Sequence, residues 1–479
     1  NIESEKLYAT QTADGIASRL AFMRFVVGDI NYDREYLEHL KAKDADEIAE
    51  VAARYLVPER MSAVIMVPKD QKSFDAGFIQ KFAPVAQMQK SVKRTRHVSP
   101  LPEIIRRDSG IKYIFNPRPQ SPVMSVHASV MGGTRLESEA DWGASHLLAL
   151  TWNKGTQRKS SREVSTLIEG YAAGLEGFSG RNSVGLQMTG LHRDWESMSS
   201  LMAEVMLEPA FIDEEVEHSR RVTLDTIKSI EDHSGQLCSK MFLETLYEKH
   251  PYGKQIYGSE QTVQSLNSQT LKNYHEQWLR LDALVLSVSG AVREASLLKW
   301  IDQIESAFKS KKTPPPQAEM KSFAVPDLKG PRWVEKIIGR EQAHIIVGGL
   351  GITMFSDERP VWRVLQNILG GQSGRLFIEL REKKSLAYSV APMGFEGLER
   401  GYVGTYIACS PSKIEESLKS MRAVLENLAH KGPTPAELKR AKEYYFGQRA
   451  MELQGDSSLA AYYGLEALYG NDPRMLEAR

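Results

Sequence analysis

Apolar positions along the chain recur with two periods, and the two follow each other in a fixed order. At 122–131, "PVMSVHASVM" alternates apolar and polar residues like a strand with one buried face. An acidic loop follows, and then "GASHLLALTWNKGT" (143–156) spaces its apolar residues as a helix does. The same order returns in "AHIIVGGLGITMFSDERPVWRVLQNILGG" (343–371), where Val361, Val364, Leu365 and Ile368 share one helical face that stops at Gly370. A second unit runs helix, aromatic residue, short turn, apolar strand. It occurs in "DADEIAEVAARYLVPERMSAVIMVP" (44–68) and again in "SQTLKNYHEQWLRLDALVLSVSG" (268–290), with Tyr55 and Trp278 in matching places. Two such correspondences make the chain a duplication.

Start and stop signals divide the rest. Ser412 with Glu415 predicts a capping box for a helix whose apolar stripe is Ile414, Leu418, Met421, Leu425 and Leu428. Thr434, Pro435 and Glu437 predict another, with proline at the first helical position. Turn residues Asp108 to Gly110 inside "EIIRRDSGIKYIFNP" predict an antiparallel hairpin. Residues 69–98 lose strand periodicity and end in the basic run "KRTRH" (93–97), which reads as a solvated connector. Pro314 to Pro316 cannot enter a helix interior or a central strand, so 309–322 reads as a linker. The expected organisation is a tail of a preceding α+β domain at 1–70, a connector at 71–98, one domain at 99–320 and a second at 321–479. The leading segment lacks the start of its domain, and the last segment stops without a closing strand, as a natural or engineered fragment would. The expected class is α+β, with duplicated domains that each hold a mostly antiparallel sheet covered by helices.

Composition narrows the chemistry. Lys and Arg total 61, as do Asp and Glu, so no net field favours nucleic acid or an anionic membrane. Cys238 and Cys409 are the only cysteines, which excludes a thiolate zinc knuckle and a disulfide scaffold while leaving one bridge open. No apolar run is long enough to span a bilayer. Neither HxxEH nor HExxH occurs, and the Glu-His pairs in "EYLEHL", "EEVEHS" and "YEKH" read as solvated helix faces. "GGQSGR" (370–375) lacks the Lys-Ser/Thr of a phosphate loop and reads as a helix stop with a tight turn.

The strand, acidic loop, glycine and His-bearing helix at 122–156 resemble the metal-binding segment of the pitrilysin and insulysin family of zinc metallopeptidases, the inverted zincins with an H-x-x-E-H helix. The likeness continues through "VLQNILGGQSGRLFIELREKKSLAYSVAP", "GYVGTYIACSP" and "TPAELKRAKEYYF". It implies the architecture of a metallopeptidase lobe, of the LuxS and processing-peptidase kind, and likens the chain to the C-terminal, non-zinc-binding half of a two-lobed protease. His146 takes the first His position of the motif, but Ala149 stands at the general-base Glu, Leu150 at the second His, and Thr226 at the position of the third ligand. A zinc hydrolase needs a metal-acidified water and a carboxylate base, so this copy of the site is degenerate and no metal is expected in this chain.

The resemblance further implies that Arg381 and Tyr388, seven apart, hold the scissile carbonyl at a zinc site in the other lobe. It also implies that Gly370, Gly371, Ser373 and Gly374 form a substrate-facing loop. A guanidinium and a phenol are both hydrogen-bond donors, so they can stabilise an oxyanion. The expected partners are an HxxEH-bearing N-terminal lobe, in the same polypeptide or on another chain, and peptide substrates, with zinc held by that lobe. Two alternatives remain open: an inactive scaffold subunit and a peptide-binding module. The compartment, the substrate and the oligomeric state are not encoded in any pattern found.

Overall fold

In the computed structural model, residues 1–95 and 96–479 form two separate compact units. The structure describes residues 7–30, 102–309 and 322–472, together with Tyr32, Tyr36 and Glu47. The 44–68 repeat apart from Glu47, the 69–98 connector and Pro314 to Pro316 lie outside the described residues. In the leading unit, Thr12 caps α1 (Ala13–Phe22) by accepting from the Gly15 amide, and a π turn (Met23–Val27) carries the helix to Gly28 at φ +90°.

In the second unit the 102–309 half is built on a six-stranded sheet. Its strands are β1 (Ile104–Arg106), β2 (Lys112–Pro117), β3 (Val123–Met131), β4 (Gly174–Ser179), β5 (Ser183–Leu191) and β6 (Val285–Gly290). The order across the sheet is β1-β2-β6-β3-β5-β4, antiparallel except for the parallel pair β2 and β6. Gly110, at φ +93°, makes the expected β1–β2 turn, a backbone region that side chains with a Cβ rarely enter. One face of the sheet carries Met124, Val126, Ala128, Val130, Leu186 and Val288 into the main core. That core is closed by α2 (Ala144–Thr151), α3 (Ser161–Gly170), α4 (Trp195–Leu207), α5 (Asp213–Asp232), α7 (Glu260–Ser265), α8 (Ser268–Trp278) and α9 (Glu294–Lys309). Between α5 and α7 lies α6 (Ser234–Tyr247), which faces the other half.

The 322–472 half repeats the plan on a smaller scale. A three-stranded antiparallel sheet is ordered β7-β9-β8, from β7 (Ala343–Leu350), β8 (Ala387–Phe395) and β9 (Tyr402–Cys409). Against it pack α10 (Arg359–Leu369) and α11 (Ile414–Lys431), followed by α12 (Pro435–Glu452) and α13 (Asp456–Tyr469). Both halves are therefore mostly antiparallel sheets with helical cover. Two local expectations need correction. Val361 leaves the α10 stripe and is 71 % exposed, while Val364, Leu365 and Ile368 pack inward. The helix does stop at Gly370, as expected, in an extended conformation, with Gly371 following at φ +74°. Ser412 caps nothing, because Pro411–Lys413 tighten into a 3₁₀ turn and α11 follows directly at Ile414 with Lys413 at its N-cap and no side-chain cap. The Thr434–Glu437 box forms as expected.

The largest departure from the sequence pattern is on β3. Alternation predicts that Ser125, His127 and Ser129 face water, yet every residue of β3 is buried. The cause is α13, which crosses from the second half and covers that face. Asp456 at its start accepts from Ser289, Ser121 and Arg118, and the hydroxyls of Tyr469 and Ser183 meet at 2.9 Å at its end. Midway, Gly464 lets the helix touch the sheet: a Cβ there would lie 3.1 Å from His127 Nδ1 and from Ser287 Cβ. Burial pushes the His127 pKa down to about 4.

That shift sets the sign of an acid effect. Unfolded histidine takes a proton near pH 6.5 and the buried ring does not until about 4, so the unfolded state binds more protons in between and stability drops as pH falls through that window. Replacing His127 with Gln should shrink the decline in denaturation midpoint between pH 7 and pH 4.5. An unchanged decline would assign it to other groups.

Candidate functional site

Helix α2 is set in place by the acidic loop before it. Glu137 is 8 % exposed and its carboxylate accepts from the Gly143 amide (3.0 Å) and the Ser145 amide (2.8 Å), satisfying donors that a helix N-terminus leaves free. Burial raises its pKa, and those same bonds oppose the rise. Glycine is required at Gly143, which sits at φ +100°.

This helix carries the degenerate motif. His146 is half-buried and packs edge-on against Tyr257, with ring centres 5.0 Å apart, and burial pushes its pKa down to about 4. Ala149 is buried against β4, where a Cβ on Gly177 would strike its carbonyl, and Leu150 is half-buried. Helix α5 packs on α2, but the Thr226 hydroxyl donates to Val222 O in its own helix at 2.9 Å. Among the described residues no group of three His, Cys, Asp or Glu side chains converges as a metal site would require. A methyl, an isobutyl and a self-satisfied hydroxyl do not fit zinc. The other histidine pairs divide: His218 of "EEVEHS" is exposed, whereas His250 of "YEKH" is 4 % exposed, a correction to its reading as solvated. The chain turns inward after α6, with Glu248 at φ +50°, and His250 Nδ1 caps the turn at Pro251–Gly253 by accepting from the Tyr252 amide. Both cysteines are free, so no bridge forms.

Arg381 and Tyr388 lie on irregular backbone. Arg381 is in a π turn (Phe377–Lys383), its guanidinium 5.0 Å from the Phe377 ring centre, and it is exposed with no carboxylate ion pair among the described residues. Ser385 follows at φ +50°, its carbonyl held by Lys413 Nζ at 2.9 Å. The ladder between β8 and β9 then skips: Ala387 pairs with Cys409 and Ser389 with Ala408, leaving Tyr388 as the bulged residue. A bulge redirects one side chain out of the pleat, and Tyr388 is 64 % exposed. Residues 370–374 form a tight turn in which a Cβ on Gly374 would lie 2.1 Å from Gly370 O, and Ser373 is exposed. Arg375 is committed to structure, with bonds to Glu437 and to Gly432 O.

The halves of this unit meet along the turn between β8 and β9. Arg135 and Glu399 form a two-pronged ion pair there, 2 % and 9 % exposed, and Glu399 also accepts from the Phe323 amide. Tyr252 OH donates to Asn182 Oδ1 and accepts from the Leu398 amide. Beside this seam opens a cavity of about 840 Å³ lined from both halves by Arg181, Leu243, Tyr257, Phe395, Tyr406 and others. No sequence signal marked Arg181, because its neighbours are drawn from four distant segments.

Residues 113–260 match the family described as insulinase, peptidase family M16, and residues 265–445 match the peptidase M16 inactive domain. The chain belongs to peptidase family M16. An uncharacterized zinc protease of Streptomyces coelicolor is 27 % identical to the M16 chain over 358 residues, spanning 74 % of this chain and 77 % of the relative. Another from Bacillus subtilis is 25 % identical over 364 residues, covering 75 % and 86 %. Among solved structures, a peptidase M16 inactive domain from Pseudomonas fluorescens superposes with TM-score 0.71 at 20 % identity, covering 79 % of this chain and 90 % of that one. A protease from Helicobacter pylori gives the same score and identity over 78 % and 90 %. These structural likenesses establish the M16 fold. Among the described residues, no helix of the M16 chain is long and apolar enough to cross a membrane.

Proposed function

We propose that this chain is the non-hydrolytic half of an M16 zinc endopeptidase. It encloses peptide substrate and offers Arg381 and Tyr388 to the scissile carbonyl at a zinc site borne by another lobe, either earlier in the same polypeptide or on a partner. The observation that carries this reading is a contrast within one chain. The motif positions that would need nitrogen or oxygen donors hold Ala149, Leu150 and Thr226, while the two permanent donors stand exposed on a π turn and a bulge. Irregular backbone of this kind is concentrated where side chains are aimed at a task. Gly370, Gly371, Ser373 and Gly374 form a glycine-rich turn that ends seven residues before Arg381, and the reading places substrate along it.

The purified chain should hold no stoichiometric zinc after exchange into metal-free buffer and should not cleave unstructured peptides. Adding an HxxEH-bearing M16 lobe should then yield cleavage that exceeds that of the lobe alone. One tightly held zinc per chain, or cleavage by the chain unaided, would overturn the assignment. Failure to raise the lobe's activity would favour the scaffold reading.

A further inference from the structure

The cavity between the halves holds a cation without a counter-charge. Arg181, in the turn joining β4 and β5, donates through Nη1 to two backbone carbonyls, Tyr252 O at 2.7 Å and Lys254 O at 3.2 Å. Its guanidinium also lies 5.7 Å from the Phe395 ring centre. Among the described residues no carboxylate forms an ion pair with it, and the hydrogen bonds it makes to them run through Nη1. A guanidinium carries five N–H donors and does not lose its charge in proteins, so the half-buried Arg181 keeps donors available to a ligand in the cavity. Burial does push its pKa down, while the only charges that act against this come from tyrosines. The other amine in the cavity, Lys240, is already 3.5 Å from Glu231.

The walls decide what the anion is attached to. Apolar surface outweighs polar in the lining, where Leu243, Tyr257, Phe395 and Tyr406 stand beside the amides of Asn182 and Gln236, and about 840 Å³ is the size of a site that encloses a small organic molecule or a few residues of peptide. Phosphate groups are held by several converging cations, whereas one planar fork against an apolar wall matches a single carboxylate. We propose that this cavity binds a monocarboxylate carried on an apolar or aromatic group, with the free edge of Arg181 as its anchor. Two sources share that chemistry, the C-terminal end of a peptide and a small aryl acid. The site belongs to this chain alone and does not depend on a zinc lobe.

Calorimetric titration of the full chain tests it with four probes: a tetrapeptide ending in phenylalanine, the same peptide amidated, N-acetylphenylalanine and its amide. Both free acids should bind, or the peptide alone, and the amides should bind about 10- to 100-fold more weakly. Tighter binding of the peptide would identify a chain end as the ligand, and equal binding a small acid. Acids and amides binding alike, or no acid binding at all, would overturn the proposal. Arg181→Gln should weaken the acids to the level of the amides. Because Arg181 also ties down the 252–254 backbone, a second variant leaves it untouched: Ala391→Trp, on the cavity face of edge strand β8, should abolish binding by filling the space. Retained acid binding in Ala391→Trp would place the ligand elsewhere and sink the assignment.

Discussion

Arg381→Ala, assayed in an enzyme reconstituted with a zinc-bearing M16 lobe, is expected to lower kcat by about 10²- to 10³-fold, the cost of removing one preorganised oxyanion donor. KM should change little, because a donor aimed at charge that develops in the transition state contributes little to ground-state binding. Tyr388→Phe removes one hydroxyl and leaves the ring, so it should reduce kcat in the same direction, and the double variant should fall short of the product of the two. Neither side chain enters the core: both are exposed, Arg381 touches only the Phe377 ring of its own turn among the ring contacts described, and their backbone is held by other groups such as Lys413. The variants should therefore keep the wild-type denaturation midpoint, which separates a chemical loss from a folding one. Unchanged kcat in both would remove the carbonyl-binding role and leave the scaffold reading.

Glu399→Ala should produce the largest loss of stability of any single change at the seam between the halves. Arg135 would keep its buried charge, at 2 % exposure, without the carboxylate that bonds two of its nitrogens. Breaking a buried pair in this one-sided way typically costs about 3–5 kcal/mol. The denaturation midpoint at pH 7, followed by tryptophan fluorescence, should drop accordingly, and a drop under about 1 kcal/mol, the value of an exposed pair, would contradict the burial. The pH dependence provides a second check. Burial alone would raise the Glu399 pKa, but its bonds and charge interaction with Arg135 outweigh that and leave it below the usual carboxylate value. A carboxyl depressed in the folded state stabilises above its unfolded pKa of about 4.3 and stops doing so as pH falls through the lower folded value. The gap between wild type and Glu399→Ala should thus narrow in acid.

Local structure was legible in the sequence wherever one segment supplied its own reason. The Asp108–Gly110 turn, the Thr434–Glu437 box and the helix stop at 370 each follow from residues a few positions apart. The duplication was legible for the same reason, since each copy carries its own pattern of strand, loop and helix. What the sequence could not reveal depends on distant segments meeting. Ser125, His127 and Ser129 read as a wet strand face because the helix that covers them lies more than 300 residues onward. His250 read as solvated because the inward turn after α6 is set by Glu248 at positive φ, which no propensity anticipates. Ser412 matched a capping pattern, but Pro411 before it favoured a tighter turn. The site divides in the same way. The absent zinc donors and the Arg381–Tyr388 spacing were visible as residue types at fixed intervals, whereas the bulge that redirects Tyr388 and the unopposed charge of Arg181 depend on cross-strand register and on a seam.

Helix α13 bears on how this protein can be cut for study. It is encoded at the far end of the chain, yet it roofs the first sheet, fastened at Asp456 and Tyr469 and pressed close at Gly464. A shortened version ending at the proline run would keep all the residues of the six-stranded sheet and lose its lid. Hydroxyls, the imidazole of His127 and the side chain of Asn116 would then meet solvent together with the apolar Ile114, Met131 and Val285 that the helix packs against. Such a fragment would be no faithful miniature of the parent, because the structural unit of the first sheet extends past the proline run to α13.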